Sequence, residues 1–215
     1  MGPAASAGLP SSLPSSPGPN FQDTSAPYVL PTEKQKFHTF VWNAFGPVAL
    51  AGSAVAAAIN QASDFPHEWG QGADAYGARV ASNLGISLFS ATALYGMGDA
   101  FHEDTQYYPC TCSGFFPRFW HAAISSVAGR RGADGHTSFS IALTISPFVG
   151  PIVAANTWIP GRDGPDLGAR MGAFNLVGQF GQNESLEFFY GGPRTLLGRI
   201  KRHFYTNSSD PDAQP

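Results

Sequence analysis

Residues Phe37 to Ser63 read FHTFVWNAFGPVALAGSAVAAAINQAS, and His38 is the only titratable group in those 27 positions. A helix rises 1.5 Å per residue, so about 20 residues cross the roughly 30 Å hydrocarbon core of a bilayer. This run is long enough. Pro47 either starts the regular helix or kinks it. In the alanine-rich second half, Gly52, Ala56 and Asn60 recur at four-residue spacing and form a line of little bulk, which would let another helix come close in lipid.

Two further runs have the same character. Val80 to Gly98 holds 19 uncharged residues within a helix predicted from near Gly70 to about Ala100, with Ala73, Gly77, Ala81 and Gly85 as its small-residue face. Arg79, at the edge of that run, would snorkel, or pair with Asp74 or with a carboxylate farther along. Thr137 to Gly161 holds 25 uncharged residues. Pro147 and Pro151 argue there for a kinked helix or two short ones, and its Ile, Val and Thr keep a strand open. A last helix is predicted over roughly Asp166 to Phe189. Ala169, Ala173, Val177 and Gly181 form a smooth stripe on it, and Asn175, Gln179 and Gln182 a polar one.

Charged residues make up 13% of the 215-residue chain, against about 25% in a typical soluble domain. With a formal net charge of −3 and no basic stripe, a nucleic-acid partner is not expected. Residues 1–36 are expected to be a disordered leader, since Met1 to Pro31 contains seven prolines among Ala, Ser and Gly. Residues 37–190 form the helical domain and 191–215 a polar tail carrying Arg194, Arg199, Lys201 and Arg202. The resulting expectation is an all-α protein, a compact bundle of four or five helices embedded in a membrane. A soluble all-helical domain is the competing reading, favoured by the mean hydropathy of −0.10.

Four crossings would bring Lys34 and Lys36, Arg118, Arg130 and Arg131, and the tail cluster to one side. The chain between the second and third runs carries most of the candidate chemistry. It reads GDAFHEDTQYYPCTCSGFFPRFWHAAISSVAGRRGADGH from Gly98 to His136, with three of the six histidines and both cysteines. A short helix is expected over Phe116 to Val127, ending at Gly129-Arg130-Arg131-Gly132. Tyr107, Tyr108, Phe115, Phe116 and Trp120 form an aromatic band, which in a bilayer would be an interfacial re-entry or a helix lying flat. Cys110 and Cys112 are expected as free thiols in a turn. The candidate catalytic residues are His136, His121 and Asp104, and the candidate ligand-binding residues are His102, Arg118, Arg131 and Asp134. No metal site and no cofactor is expected, since a hydrolytic metal centre needs at least three convergent ligands. The alternative reading of the acidic pair Glu103-Asp104 is that it serves Arg79, Arg118 or Arg131.

Asp134-Gly-His-Thr-Ser-Phe-Ser140 resembles the middle motif, P-S-G-H-T, of the membrane phosphatases of the phosphatidic acid phosphatase type 2 family. The resemblance implies His136 as general acid toward a leaving group and Gly135 at a phosphate-binding turn. The family's first motif and its third, which carries the nucleophile, have no counterpart in this chain. A broader resemblance covers about Trp42 to Phe189. His102, Asp104, Tyr107-Tyr108, Arg118, Arg131, Asp134, Phe139 and Asn156-Thr-Trp-Ile-Pro160 are similar to a pattern in a group of uncharacterised bacterial proteins common in acidobacteria. Gln106 stands where that group has Arg. The resemblance implies a coherent domain but no activity, and the location expected for the chain is the membrane of a bacterial cell envelope. The preferred expectation is therefore a structural or envelope-associated membrane protein. Its partners would be the bilayer, a lipid or small apolar ligand, and a second copy packed through small-residue helix faces. The runner-up is a phosphate-ester or metal-assisted hydrolase using His136.

Overall fold

The computed structural model describes residues 28–132, 134–161 and 164–190. The chain is mostly helical. The first helix, α1 (Glu33–Phe45), starts at Thr32, whose hydroxyl accepts the Gln35 N–H while the Gln35 side chain accepts the Thr32 N–H. This reciprocal cap ends the expected leader earlier than residue 36. Positions 1–27 and the polar tail lie outside the described residues. Pro47 opens a separate helix, α2 (Pro47–Ala62), at the first position, where its missing N–H would have had no helical partner. Together Glu33–Ala62 spans 30 residues at a mean hydropathy of 1.4, and by length and composition is the one stretch among the described residues able to cross a membrane.

A 3₁₀ turn, His67–Trp69, leads to α3 (Ala73–Ala100). A connector follows, with β1 (Glu103–Asp104), α4 (Phe115–Ile124), β2 (Ala128–Arg131) and β3 (His136–Phe139). The strands form one antiparallel sheet in the order β1-β2-β3, with Glu103 opposite Arg131, Asp104 opposite Arg130 and Arg131 opposite His136. The sheet was not foreseen. The uncharged run from Thr137 is split at Ser140, whose hydroxyl accepts the Leu143 N–H and caps α5 (Ile141–Thr157). The last helix, α6 (Gly164–Ser185), continues into a π-helical turn, Leu186–Tyr190.

α1 and α2 follow one another in the same direction, and α3 runs antiparallel to both, α5 antiparallel to α3 and α6 antiparallel to α5. Lys36 in α1 reaches Asp99 at the end of α3 (3.1 Å), and Tyr76 at its start donates to the Ala54 carbonyl in α2 (3.1 Å). Trp158 at the end of α5 donates to Ser82 in α3 (2.8 Å), and Gly168 and Gly172 in α6 lie against Ile152 and Phe148 in α5. The seams run α2 to α3, α3 to α5 and α5 to α6, and α6 forms no comparable seam with α1 or α2. The expected compact bundle is thus a row of helices with α3 and α5 in the middle.

The buried faces lie one position away from the expected small-residue stripes in α2 and α6 and two positions away in α3, where Gly85 of the expected stripe still packs against Trp158. Gly52, Gly77, Ala81, Ala169, Ala173, Val177 and Gly181 face outward, whereas Ser53 and Ala57, Ala75 and Arg79, and Gly164, Gly168 and Gly172 are buried. Several small stripes run along each helix, and the packing partner selects among them. At the α3–α5 crossing a Cβ on Gly150 would overlap the Ile86 carbonyl and come within 2.6 Å of Ser90 Oγ.

Arg79 is fully buried and neither snorkels nor pairs with the connector. Its guanidinium donates to the carbonyls of Phe65 (2.7 Å), Pro66 (3.0 Å) and Gly70 (3.0 Å) and to Gln61 Oε1 (2.6 Å). The arginine thereby holds the turn between α2 and α3 closed.

Of the two expected forms, two short helices are excluded: α5 is one continuous helix through both prolines. Pro147 and Pro151 cannot donate to the carbonyls four residues back, which leaves those of Leu143 and Pro147 without helical partners. The polar stripe of α6 supplies the missing donors: Gln179 Nε2 donates to Leu143 O (3.2 Å) and Asn175 Nδ2 to Pro147 O (3.3 Å).

Two stability measurements check this packing. Asn175→Leu should cost about 1–2 kcal/mol, and Pro151→Ala, which restores the N–H facing Pro147 O, should remove most of that cost in a double-mutant cycle. Equal costs in both backgrounds would refute the pairing. Gly150→Ala should cost about 1–3 kcal/mol through overpacking. Gly52→Ala, where an added methyl meets open space, should leave the midpoint unchanged.

Candidate functional site

The connector folds over the end of the row formed by the start of α1, the end of α3, the start of α5 and the end of α6. Three buried carboxylates organise it. Glu103 accepts from Arg131 (2.5 Å), from the Ser140 hydroxyl (2.5 Å) and from the backbone N–H groups of Ile141 and Ala142 at the start of α5. A negative charge there meets both free amides and the positive end of the helix dipole. Asp104 accepts from the hydroxyls of Tyr28 (2.9 Å) and Tyr108 (2.6 Å) and from the Gln106 N–H. The Arg130 guanidinium lies 4.0 Å from the Tyr108 ring centre and 5.3 Å from that of Tyr28. Glu187, in the π-helical turn, is fully buried and accepts from Tyr107 (2.6 Å), from Arg118 Nε (2.7 Å) and from the Cys110 N–H (2.9 Å); Arg118 also donates to the Glu187 carbonyl.

Burial, together with the carboxylate each one faces, raises the pKa values of Tyr28, Tyr107 and Tyr108, since an anionic phenolate there would be both desolvated and repelled. These hydroxyls remain protonated donors. They hold the carboxylates rather than act as bases.

The structure separates the sequence-predicted site residues. Asp104 and Arg118 are each bound into one of the carboxylate clusters, and Arg131 serves Glu103, as the structural reading of the acidic pair expected. Asp134 and His136 sit on the exposed hairpin, joined by a 2.9 Å hydrogen bond that holds the Asp134 carboxyl below the usual range. His102 is exposed, in left-handed backbone (φ 53°) just past α3. His121 lies edge-on to the Tyr107 ring at 6.0 Å, and its Nδ1 is shut from solvent without a hydrogen-bond partner among the described residues. No hydrogen bond among the described residues links His136 to His102 or His121, and no group of three His, Cys, Asp or Glu there could hold a metal ion. His203, like the basic tail, lies outside the described residues.

Cys110 and Cys112 are bridged rather than free: the turn brings their Cα atoms to 5.2 Å, within bridging range. A cleft between α1 and α3, bordered by Lys36, Asn43, Tyr95, Asp99 and Gln106, holds about 30 Å³.

Sequence reasoning did not identify Tyr28 or Glu187 as parts of the cap, and placed Arg130 in it only as part of the Asp99 to Asp134 segment. Glu187 was legible only as a carboxylate following the polar stripe of α6, and its partners are about 70 to 80 positions away in the chain. No protein-family model matches the chain, and neither does any curated protein or solved structure.

His121 yields a pH prediction. Burial lowers its pKa from the ordinary value of 6.5, outweighing the opposing pull of Glu187, with Arg130 adding to the depression. Its neutral form is thus favoured in the folded state, while the unfolded chain takes up a proton near the ordinary value. The contribution is fully present above pH 6.5 and is lost as pH falls through the lower folded value. Thermal midpoints of the wild type and His121→Phe should keep a constant offset above that pH and shift in favour of the variant below it. A pH-independent offset would show that His121 is not held neutral.

Proposed function

We propose that this chain is an integral membrane protein of the bacterial envelope with a structural role, its helix row immersed in lipid and its connector closing one end. The observation that carries this reading is an inverted distribution of polarity. Arg79 and Glu187 are 0% exposed and Glu103 and Asp104 nearly so, while Phe174 is 78%, Val177 65%, Ile59 63% and Val55 61% exposed. Twenty-two large apolar side chains are exposed among the described residues, and alanines dominate the buried apolar set. Each large side chain left in water forgoes about 1.5–3 kcal/mol. In hydrocarbon it forgoes nothing, and close backbone packing through small residues becomes the source of cohesion.

The proline repair between α5 and α6 supports the same reading, because unpaired carbonyls are least tolerable where no water can reach them. The apolar ligand class that suits this surface is lipid acyl chain. The outward-facing small residues of α3 and α6 are where a second copy of the chain would pack.

Expression followed by membrane fractionation and an alkaline carbonate wash tests the proposal. The full chain should stay in the membrane pellet after the wash and leave it only with detergent. Recovery in the washed supernatant would overturn the reading.

A further inference from the structure

We infer that α4 lies flat in the headgroup layer of the bilayer that the helix row occupies, in a leaflet carrying anionic phospholipid. This rests on the membrane reading above and adds to it a depth and a lipid charge. With 10 residues α4 is too short to cross a bilayer, and its polarity is reversed relative to a helix on a soluble domain. Arg118 is turned inward to Glu187 with 15% of its side chain exposed, and His121 faces Tyr107. The opposite face carries Phe115, Phe116, Trp120 and Ile124, with Phe116 79% and Trp120 65% exposed. Phe119 packs on Phe180 and Phe115 on Phe188, so α4 is fixed against the end of α6 and has no freedom to turn that face inward.

An outward aromatic and aliphatic ridge at the polar end of an otherwise apolar surface suits the boundary between headgroups and acyl chains. The chain that continues from the π-helical turn beside α4 supplies charge complementarity. Arg194, Arg199, Lys201 and Arg202 follow within 12 positions of Tyr190, with no acidic residue before Asp210. Such a cluster next to a membrane helix attracts anionic headgroups. Water would leave the ridge uncovered, and a protein partner would leave the basic segment without its counter-charge.

The test uses the full chain labelled with fluorotryptophan and reconstituted in phosphatidylcholine vesicles with or without phosphatidylglycerol. The Trp120 fluorine signal is assigned by its loss in Trp120→Phe, while the signals of Trp42, Trp69 and Trp158 report that the fold is retained. A spin label near the glycerol end of the acyl chain should erase the Trp120 signal, and a label at the terminal methyl should spare it. Erasure should be stronger with phosphatidylglycerol. In protein that resists the carbonate wash, erasure by a water-soluble relaxation agent alone overturns the inference and leaves the membrane reading standing, and erasure by the mid-bilayer label overturns the depth. Equal erasure in both lipid mixtures overturns the anionic component. Protein that fails to remain in the vesicles overturns both readings.

Discussion

Two prolines in the most buried helix set the terms for the rest of the molecule. α5 lacks two of its own hydrogen bonds, so a neighbour must present donors at the heights of Leu143 and Pro147. A helix with amides four residues apart can serve both, and Asn175 and Gln179 fix the register of the antiparallel α6 in that way. The stripe continues beyond them. Gln179 also donates to the Ser126 carbonyl (2.6 Å) and Asn183 to Ser126 Oγ (3.0 Å), tying the end of the connector to the same helix. The glycines Gly164, Gly168 and Gly172 set the close approach, and the amides set the register.

Close approach by small residues explains why large apolar side chains are left on the outside. A helix that meets its neighbour through Gly, Ala and Ser has little bulk to bury at the seam, and its Phe, Val and Ile must then point away from it. In lipid such a row is self-consistent, because the outer face is solvated by acyl chains and the seams gain dispersion contacts and hydrogen bonds. The fully buried Arg79 follows the same logic at the opposite end. It spends its donors on backbone carbonyls of a tight turn, polar groups that neither lipid nor a neighbouring helix would satisfy.

The sequence announced the long helices through extended uncharged runs with small residues at four-residue spacing, and it announced the polar stripe of α6 as a face seeking a partner. Which small stripe would be buried was not legible. Gly52 and Ser53, or Gly168 and Ala169, differ by about 100° around the helix and little in size, and only the partner's shape decides between them. The continuity of α5 was hidden for a related reason: proline penalises a helix through its unpaired carbonyl, and the donors that remove the penalty sit 28 and 36 positions later. The three-stranded sheet was missed because β1 has two residues and its alternation cannot be seen over so short a length. The candidate catalytic residues were chosen for their chemistry, and in the cap that chemistry is spent on hydrogen bonds between distant segments.

Each of the three carboxylates fastens a different helix to the connector. Asp104 holds Tyr28 and with it the entry to α1, Glu103 holds the start of α5, and Glu187 brings the end of α6 to Tyr107 and Arg118. α3 needs no clasp because the connector grows directly from its end. The row has only a small buried core, around Ile86, Ala154 and Ile159, and its outer members lie beyond it. Hydrogen bonds to buried charged groups are among the stronger contacts available in a low-dielectric setting, and they are costly to leave half made. Placing them at one end holds four helix termini at fixed spacing while the outer faces of the helices stay uncovered. The same economy accounts for the tyrosines: a phenol with a raised pKa donates to a carboxylate without adding charge, so Asp104 is satisfied by two neutral donors and Arg130 needs only to lie over their rings.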